Sequence, residues 1–330
     1  MATVGTTNPN LADWASRRDP DGKIAKIVEI LSLTNEILDD MTFIESNGAT
    51  SHKTTIRSGL PSGTWRRLNY GVQPEKTRTV PVTDTLGSLE TYSVCDKALA
   101  DLSGDLAGFK LSESMGFLEG LSQSMATALI YGDTGTDPEK FMGLAPRYNT
   151  KSGAANGENI ILGGGSGDAN HSVWLVVWGP NTIHGLFPKG KIAGLQMEDK
   201  GQETLTDAAG GLYEGYRTHY KWDIGLTLRN WRYVVRICNI DHSALTKTGS
   251  TGADLVDLMS QAIETLPTMG MGRPVFYADR TIKSFLRRQI SNKSNVNLTL
   301  DTAGGKHVVS FDGIPVKTVD ALSATEATIS

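Results

Sequence analysis

The sequence predicts an α+β fold without regular βαβ alternation. Three features carry that expectation. Residues 50–95 are rich in Thr, Val, Arg and aromatics and read as an extended two-stranded excursion. Leu111, Met115, Leu118, Leu121, Met125 and Leu129 recur at helical spacing. Beyond them, strands and helices follow one another irregularly, which excludes a doubly wound parallel sheet. The 330 residues are 39% hydrophobic and 21% charged, enough for a large core or two domains and unlike a disordered chain. Thirty-six glycines point to many turns and long loops.

Taken in order, residues 1–48 read as an irregular arm followed by a helix. Pro9 and Pro20 punctuate the arm, and from Lys23 to Met41 the apolar Ile24, Ile27, Val28, Leu31, Leu38 and Met41 fall at helical spacing. No apolar h-region opens the chain and no run of about 18 apolar residues occurs, so neither a signal peptide nor a membrane-spanning helix is expected. In the hairpin, turn signals stand at Leu60-Pro61-Ser62-Gly63 and Asn69-Tyr70-Gly71. The long helix is expected to start at a Ser112 N-cap and to end at Gly132 as its C′ residue. Its apolar face, with Leu118 and Leu121, is expected in the subunit's own core, and Glu113, Glu119 and Gln123 lie on the opposite face.

Residues 133–170 are turn-rich and end in "GGGSG", Gly163–Gly167. "SVWLVVWG", Ser172–Gly179, reads as a buried strand, Pro188–Gly211 as a long surface loop, and "WRYVVRICNI", Trp231–Ile240, as a strand. Asp254 caps a helix carrying Leu255, Leu258, Met259, Ala262, Ile263 and Leu266, which Pro267 ends. "PVFYA" is a strand, Asp279 caps a helix carrying Ile282, Phe285, Leu286 and Ile290, and "VVSFDGIPVKTV" is a hairpin turning at Asp312-Gly313.

Chemistry is hard to find in this chain. "GGGSG" lacks the Lys and hydroxyl of a phosphate loop, and "GGKH" at Gly304–His307 lacks the upstream glycine, so both read as loops. The six histidines are scattered, no HxxxH or HxxE pair occurs, and neither Cys95 nor Cys238 stands at metal-ligand spacing; both read as buried thiols. No nucleophile elbow is present. The expectation is no catalytic residue, no cofactor and no metal. "YRTHYKWDIGLTLRNWRYVVR", Tyr216–Arg236, interleaves aromatic and basic residues as single-strand nucleic-acid platforms do. The plainer reading is a strand pair with Trp, Tyr and Val on one face and Arg on the other. A net charge of −4 favours the plainer reading.

The stretch "GTWRRLNYGVQPEKTRTVP", Gly63–Pro81, is too aromatic for a linker and too basic for a core. Residues 51–80 hold six cations (Lys53, Arg57, Arg66, Arg67, Lys76, Arg78) against Glu75, a net +5, whereas residues 81–140 hold three cations against ten anions, a net −7. An extended hairpin cannot easily fold back on a helix that begins just beyond its own base, but it can lie across that helix in a neighbouring copy, a head-to-tail contact that closes a ring when the rotation closes. Trp65 and Tyr70 would be anchors, and Arg66, Arg67, Lys76 and Arg78 would face Glu113 and Glu119. Charge alone leaves a solvated charge run equally open.

The order of arm, long hairpin, long helix and mixed remainder resembles a tailed-bacteriophage major capsid protein. The stretches "NLADWASRRDPDGKIAKIVEIL", "TNEILDDM", "RSGLPSGTWRRLNYGVQPEK", "EKFMGLAPRYN", "VWLVVWGPNTIHGLFPKG" and "YRTHYKWDIGLTLRNWRYVVRICNID" are similar to those of short-tailed phages, over about Asn10–Asp241. The resemblance implies the fold shared with herpesvirus capsid floors. It implies an N-terminal arm and helix (1–48), an E-loop (49–94) lying over a neighbouring subunit, and a peripheral domain with a spine helix (95–159). An axial domain (160–295) and C-terminal strands rejoining the peripheral domain (296–330) complete it. It further implies a non-enzymatic virion protein assembled in the host bacterial cytoplasm, self-assembling into hexamers and pentamers around double-stranded DNA. The expected partners are a separate scaffolding protein, a portal and, where such a shell carries one, a decoration or cement protein. The rival readings are a cytoplasmic nucleic-acid-binding module using 216–236 and, more weakly, a hydrolase with non-sequential catalytic residues.

Overall fold

The computed structural model describes residues 33–330 except 168, 208, 250–251, 293–297 and 304–305. Along the chain run α1 (Ile37–Asp40), β1 (Phe43–Glu45), β2 (Ser51–Gly59), β3 (Arg78–Asp96), α2 (Lys97–Ser103), α3 (Leu106–Tyr131), β4 (Ile160–Leu162), β5 (Asn170–Trp178) and β6 (Ile183–Phe187). They are followed by β7 (Gln196–Thr206), β8 (Leu212–Leu228), β9 (Val234–Asp241), α4 (Leu255–Thr265), β10 (Arg273–Ala278), α5 (Arg280–Asn292), β11 (Leu298–Ala303), β12 (Lys306–Phe311) and β13 (Ile314–Thr318). The helix expected from Lys23 lies mostly outside the described residues; within them only α1 is helical. The chain divides into two compact units. The larger takes residues 36–87, 127–193 and 224–330, and the smaller takes 88–126 and 194–223 together with 33–35.

In the larger unit β4, β9, β5, β10, β13, β12 and β11 lie side by side, with β4–β9 and β10–β13 parallel and the other neighbours antiparallel. β5 is buried along its whole length, which explains its apolar run. Val173, Leu175 and Val177 point from it into one core, which Leu255, Leu258, Met259 and Ile263 of α4 and Ile282, Leu286 and Ile290 of α5 complete. Asp254 and Asp279 cap these helices through the backbone N–H groups of Asp257 (3.4 Å) and Ile282 (2.7 Å), as their sequences imply. At Asp312 and Gly313 φ is 50° and 77°, the two left-handed residues that a two-residue hairpin between β12 and β13 requires.

The opposite face of β5 carries a polar network. Arg236 Nη2 donates to Glu326 Oε2 at 2.8 Å with both side chains 5% exposed. Ser172 Oγ donates to the same carboxylate oxygen, and Tyr131 OH, at the end of α3, donates to Oε1 at 2.5 Å. Arg236 also reaches the Tyr148 carbonyl at 2.8 Å and lies 5.0 Å from the centroid of the Trp174 ring. Burial, then the Glu326 carboxylate, push the Tyr131 hydroxyl well above its ordinary range, so it remains a donor. The expected strand pair within 216–236 is therefore corrected. Its residues divide between β8 and β9, which pair with other strands, and Arg236 is buried rather than on a solvent face.

The hairpin prediction holds: β2 and β3 are antiparallel from Ser51↔Thr85 to Gly59↔Arg78. Two other expectations fail. α3 begins at Leu106, so Ser112 is inside it and is not its N-cap. Pro188–Gly211 is not all loop, because β7 pairs with β8 from Gln196↔Lys221 to Thr206↔Leu212. A left-handed Gly201 (φ 75°) marks a bulge in that hairpin.

At the end of α3, the Gly132 and Leu144 N–H groups donate to the Ala128 and Leu129 carbonyls at 2.8 and 3.0 Å, satisfying acceptors that a helix terminus leaves open. A Cβ on Gly132 would stand 2.6 Å from the Phe141 carbonyl oxygen, so glycine is needed for close approach rather than for the left-handed φ of a C′ residue.

In the smaller unit, Asp96 caps α2 through the Ala98 N–H (2.8 Å), and Cys95, Leu99, Ala100 and Phe109 form a small core. Phe117 of α3 stacks on Tyr220 of β8 at 5.7 Å, and the Tyr220 hydroxyl donates to Ser114 Oγ at 2.7 Å.

The apolar period of α3 is only partly a core face. Leu121, Met125 and Leu129 are buried, but Leu111, Met115 and Leu118 are 65%, 51% and 37% exposed. Leu118 therefore does not pack in the core as its spacing implied. Leu129→Ala should cost about 2–5 kcal/mol, whereas Leu118→Ala should stay within about 0.5 kcal/mol. Chemical denaturation of the isolated subunit measures both, and equal losses would contradict this packing.

Candidate assembly interface

The segment between β2 and β3 has no regular structure beyond one turn, and residues 60–78 are exposed. Trp65 is 99% exposed, and Leu60, Leu68, Tyr70 and Val72 are also open to solvent. Two proline-containing ends and a basic composition prevent the segment from continuing the ladder. Glu75, its single anion, closes the base by accepting from the Ser62 N–H at 2.6 Å. Arg67 C=O accepts from the Tyr70 N–H at 3.3 Å, with Asn69 left-handed (φ 66°). Of the sequence-predicted contact residues, Trp65, Arg66, Arg67, Tyr70 and Lys76 lie in this exposed segment and Arg78 opens β3.

The stem of this loop is anchored by a buried carboxylate that spacing alone gave no reason to single out. Asp84 of β3 accepts from Arg147 Nη2 at 2.8 Å and from Thr227 Oγ1 at 2.6 Å. Arg147 also donates to the Met142 and Leu226 carbonyls at 3.2 and 3.1 Å. His52 pairs with Asp84 across β2–β3, and His184 pairs with Thr227 across β6–β8. The two imidazoles meet edge to face at 6.4 Å. Burial lowers the pKa of both, that of His184 to about 4, so each is neutral at pH 7.

The predicted acceptors lie on α3 in the smaller unit. Glu119 Oε1 accepts from the Leu33 N–H and from Gln123 Nε2, both at 2.8 Å. Glu113 lines a groove of about 600 Å³ between β3 and α3, whose walls include Glu90, Gly116, Phe117, Gly120 and Leu121. Glu90 accepts from Lys221 and, at 3.1 Å, from His219 Nε2, and the Lys221 ammonium holds its carboxyl below the usual carboxylate range. Sequence reasoning missed Leu60, Leu68 and Val72 as exposed apolar side chains of the same segment as Trp65. It also passed over the glycines of the groove, whose signal was their presence in the middle of a long helix.

The aromatic and basic residues of 216–236 do not form an open platform. Tyr220 and Tyr233 are buried, Arg217 pairs with Glu203 at 2.5 Å, Lys221 pairs with Glu90, and Arg236 is held by Glu326. The nucleic-acid-module reading finds no support in this arrangement. Cys95 and Cys238 are buried thiols, as their apolar surroundings implied, and burial raises the pKa of Cys238 to about 11. Among the described residues no group of three or more His, Cys, Asp or Glu is placed to hold a metal ion, and no helix is long and apolar enough to cross a membrane.

Comparison with known proteins points the same way as the resemblance. The family model described as major capsid protein GP7 matches residues 19–330. No curated protein matches the chain. A chain in the cryo-EM structure of bacteriophage Epsilon15 is 46% identical, with a TM-score of 0.76, over 100% of this chain and 99% of that one. The bacteriophage JBD30 capsid is 10% identical with a TM-score of 0.51, over 90% of this chain and 95% of that one, which is a likeness of fold alone.

The neutral histidines at the stem give a pH dependence. Unfolded, His184 takes its proton near pH 6.5; folded, it does so near 4. The stability it contributes is present above pH 6.5 and is lost as the pH falls through about 4, because the unfolded chain binds the proton first. Thermal melts of the subunit should show a falling midpoint across that window, with a shallower fall for His184→Gln. An identical pH profile in the variant would contradict the assignment.

Proposed function

The chain belongs to the major capsid protein GP7 family, and from that premise we propose how its loop and long helix build a shell. The protein is the major capsid protein of a short-tailed phage: a structural virion protein that self-assembles into the capsomers of an icosahedral shell. In the proposed assembly the loop over Gly63–Pro81 crosses to a neighbouring copy and lies on the smaller unit there. Arg66, Arg67, Lys76 and Arg78 then face the carboxylate side of α3, including Glu113 and Glu119, with Trp65 and Tyr70 as apolar anchors. The observation that carries this reading is the exposure of a segment that holds Trp65, 99% exposed, with Leu60, Leu68, Tyr70 and Val72 also open to solvent. Apolar area left open on this scale marks an interaction surface.

The proposed division keeps 1–48 as N-terminal arm and helix, 49–94 as E-loop, 95–159 as peripheral domain with its spine helix, 160–295 as axial domain and 296–330 as strands rejoining the peripheral domain. Hexamers and pentamers enclose double-stranded DNA without sequence-specific binding, and the modest acidity of the chain suits a wall that must not grip its contents. The protein works without enzymatic activity or cofactor. It assembles in the host bacterial cytoplasm with a separate scaffolding protein, a portal and, where the particle carries one, a decoration protein.

Each exposed ion pair contributes only about 0–1 kcal/mol, but the contact recurs at every subunit boundary, and its charges set register and encounter rate. Arg66→Glu with Arg67→Glu should leave a folded, soluble subunit that fails to form shells when expressed with its assembly partners. Wild-type assembly should slow as salt rises, since exposed charges are screened over about 10 Å at 0.1 M. Electron microscopy and light scattering read both effects; shells of normal yield from the charge-reversed protein would refute the contact.

A further inference from the structure

We propose that the groove between β3 and α3 is the receptacle for Trp65 of a second copy, and that Gly116 and Gly120 are glycine to admit it. This rests on the reading that the loop crosses to a neighbour, and it names the seat that reading leaves unspecified.

Gly116 and Gly120 stand at i and i+4 in the middle of a helix, where glycine is a poorer helix former than alanine. Neither has a left-handed φ. A Cβ on either would meet nothing of its own chain within 4 Å. Gly132, by contrast, is required by a contact already in the chain, the Phe141 carbonyl. Both Gly116 and Gly120 line the groove, with Ser112 and Ser124 one helical turn to either side. Small residues at these four positions make a trough along the helix, floored by the apolar Leu89, Phe117 and Leu121.

The occupant follows from what the chain leaves uncovered. Trp65 is 99% exposed, and the groove volume of about 600 Å³ takes an indole with its flanking backbone. Arg66 and Arg67 follow Trp65 directly, and the groove wall carries Glu90 and Glu113 within a segment of net charge −7. An aromatic anchor in a small-residue seat, with cations placed toward a carboxylate rim, has the composition of an interface hot spot.

The test fills the seat and removes the anchor separately. Gly116→Leu with Gly120→Leu points side chains into open space and raises helix propensity, so the soluble subunit should melt at or above the wild-type temperature. Its particle yield on co-expression with the phage assembly proteins should nevertheless fall by about tenfold or more. Trp65→Ala should fall equally, and Trp65→Phe should recover most of the yield. If the groove-filled subunit is folded and assembles at wild-type yield, or if Trp65→Ala does, the seat is wrong. Should the Leu pair prevent folding, Gly116→Ala and the Trp65 series decide. Failure of these variants to differ from wild type, while Arg66→Glu with Arg67→Glu still blocks assembly, overturns the seat and leaves the crossing loop intact. Shells of normal yield from the Arg66→Glu, Arg67→Glu protein would overturn the crossing itself.

Discussion

Glu326 sits where three distant parts of the chain must agree. Its carboxylate accepts from Arg236 of β9, Ser172 of β5 and Tyr131 at the end of α3, and it is itself part of the C-terminal segment. A carboxylate and a guanidinium taken out of water incur a desolvation cost that their attraction alone need not offset. The pair is tolerable because the surrounding donors and acceptors are supplied almost completely, by the Tyr148 carbonyl, Ser172 and the Trp174 ring. Removing one partner leaves the other buried and uncompensated, at about 3–5 kcal/mol. The effect is one of placement: the last residues, the central strands and the helix end have a single arrangement in which every one of these groups is satisfied.

The same device recurs at Asp40 and Asp84. Asp40 accepts from Lys317 at 2.6 Å and from Tyr277 at 2.9 Å, and Tyr277 in turn accepts from Trp178 Nε1 at 2.7 Å, joining α1 to β13, β10 and β5. Asp84 fixes the loop stem through Arg147 and Thr227. A loop that must present Trp65 to a partner gains from a stem that does not swing, since ordering a flexible segment on binding costs free energy that a fixed one has already spent. Rigidity below and exposure above are thus one arrangement: the ladder ends near Gly59, the apolar residues continue past it, and nothing in the described chain covers them.

How far this was legible in the sequence depended on whether a segment's neighbours were near in the chain. The β2–β3 hairpin, the Asp312-Gly313 turn and the capped helices α4 and α5 announce themselves through local signals, and all were readable. β7 was not, because Met197, Glu198, Asp199 and Lys200 have no alternating pattern; its strand conformation comes from pairing with β8, not from a buried face. The periodic Leu111, Met115 and Leu118 misled for a related reason. Helical spacing fixes which residues share a face but does not say whether that face meets the chain's own core or another molecule. Glu326 and Asp84 carry no motif, and only the folded strands bring their partners together. The candidate interface divided in the same way, with the donor loop visible from composition and the groove visible only once β3 lay beside α3.

The exposed surface of α3 makes sense only in company. Among the described residues, Cys95, Leu99, Ala100 and Phe109 form one apolar cluster with Leu106 and Tyr216 against it, and Leu121, Met125 and Tyr220 are buried as well. α3 adds exposed leucine and methionine and two glycines that lower its intrinsic helicity. A free-standing domain would gain stability by replacing those glycines with alanine and those leucines with polar residues, and both changes are single substitutions. A shell subunit has the opposite requirement: it must remain soluble through charge while carrying apolar surface that becomes buried at each of many identical contacts. The basic loop and acidic helix segment meet the first half of that requirement, since like-charged loops repel one another before any helix is engaged. The glycine trough and exposed apolar stripe meet the second half, and they are where this chain departs from the residues that isolated stability would favour.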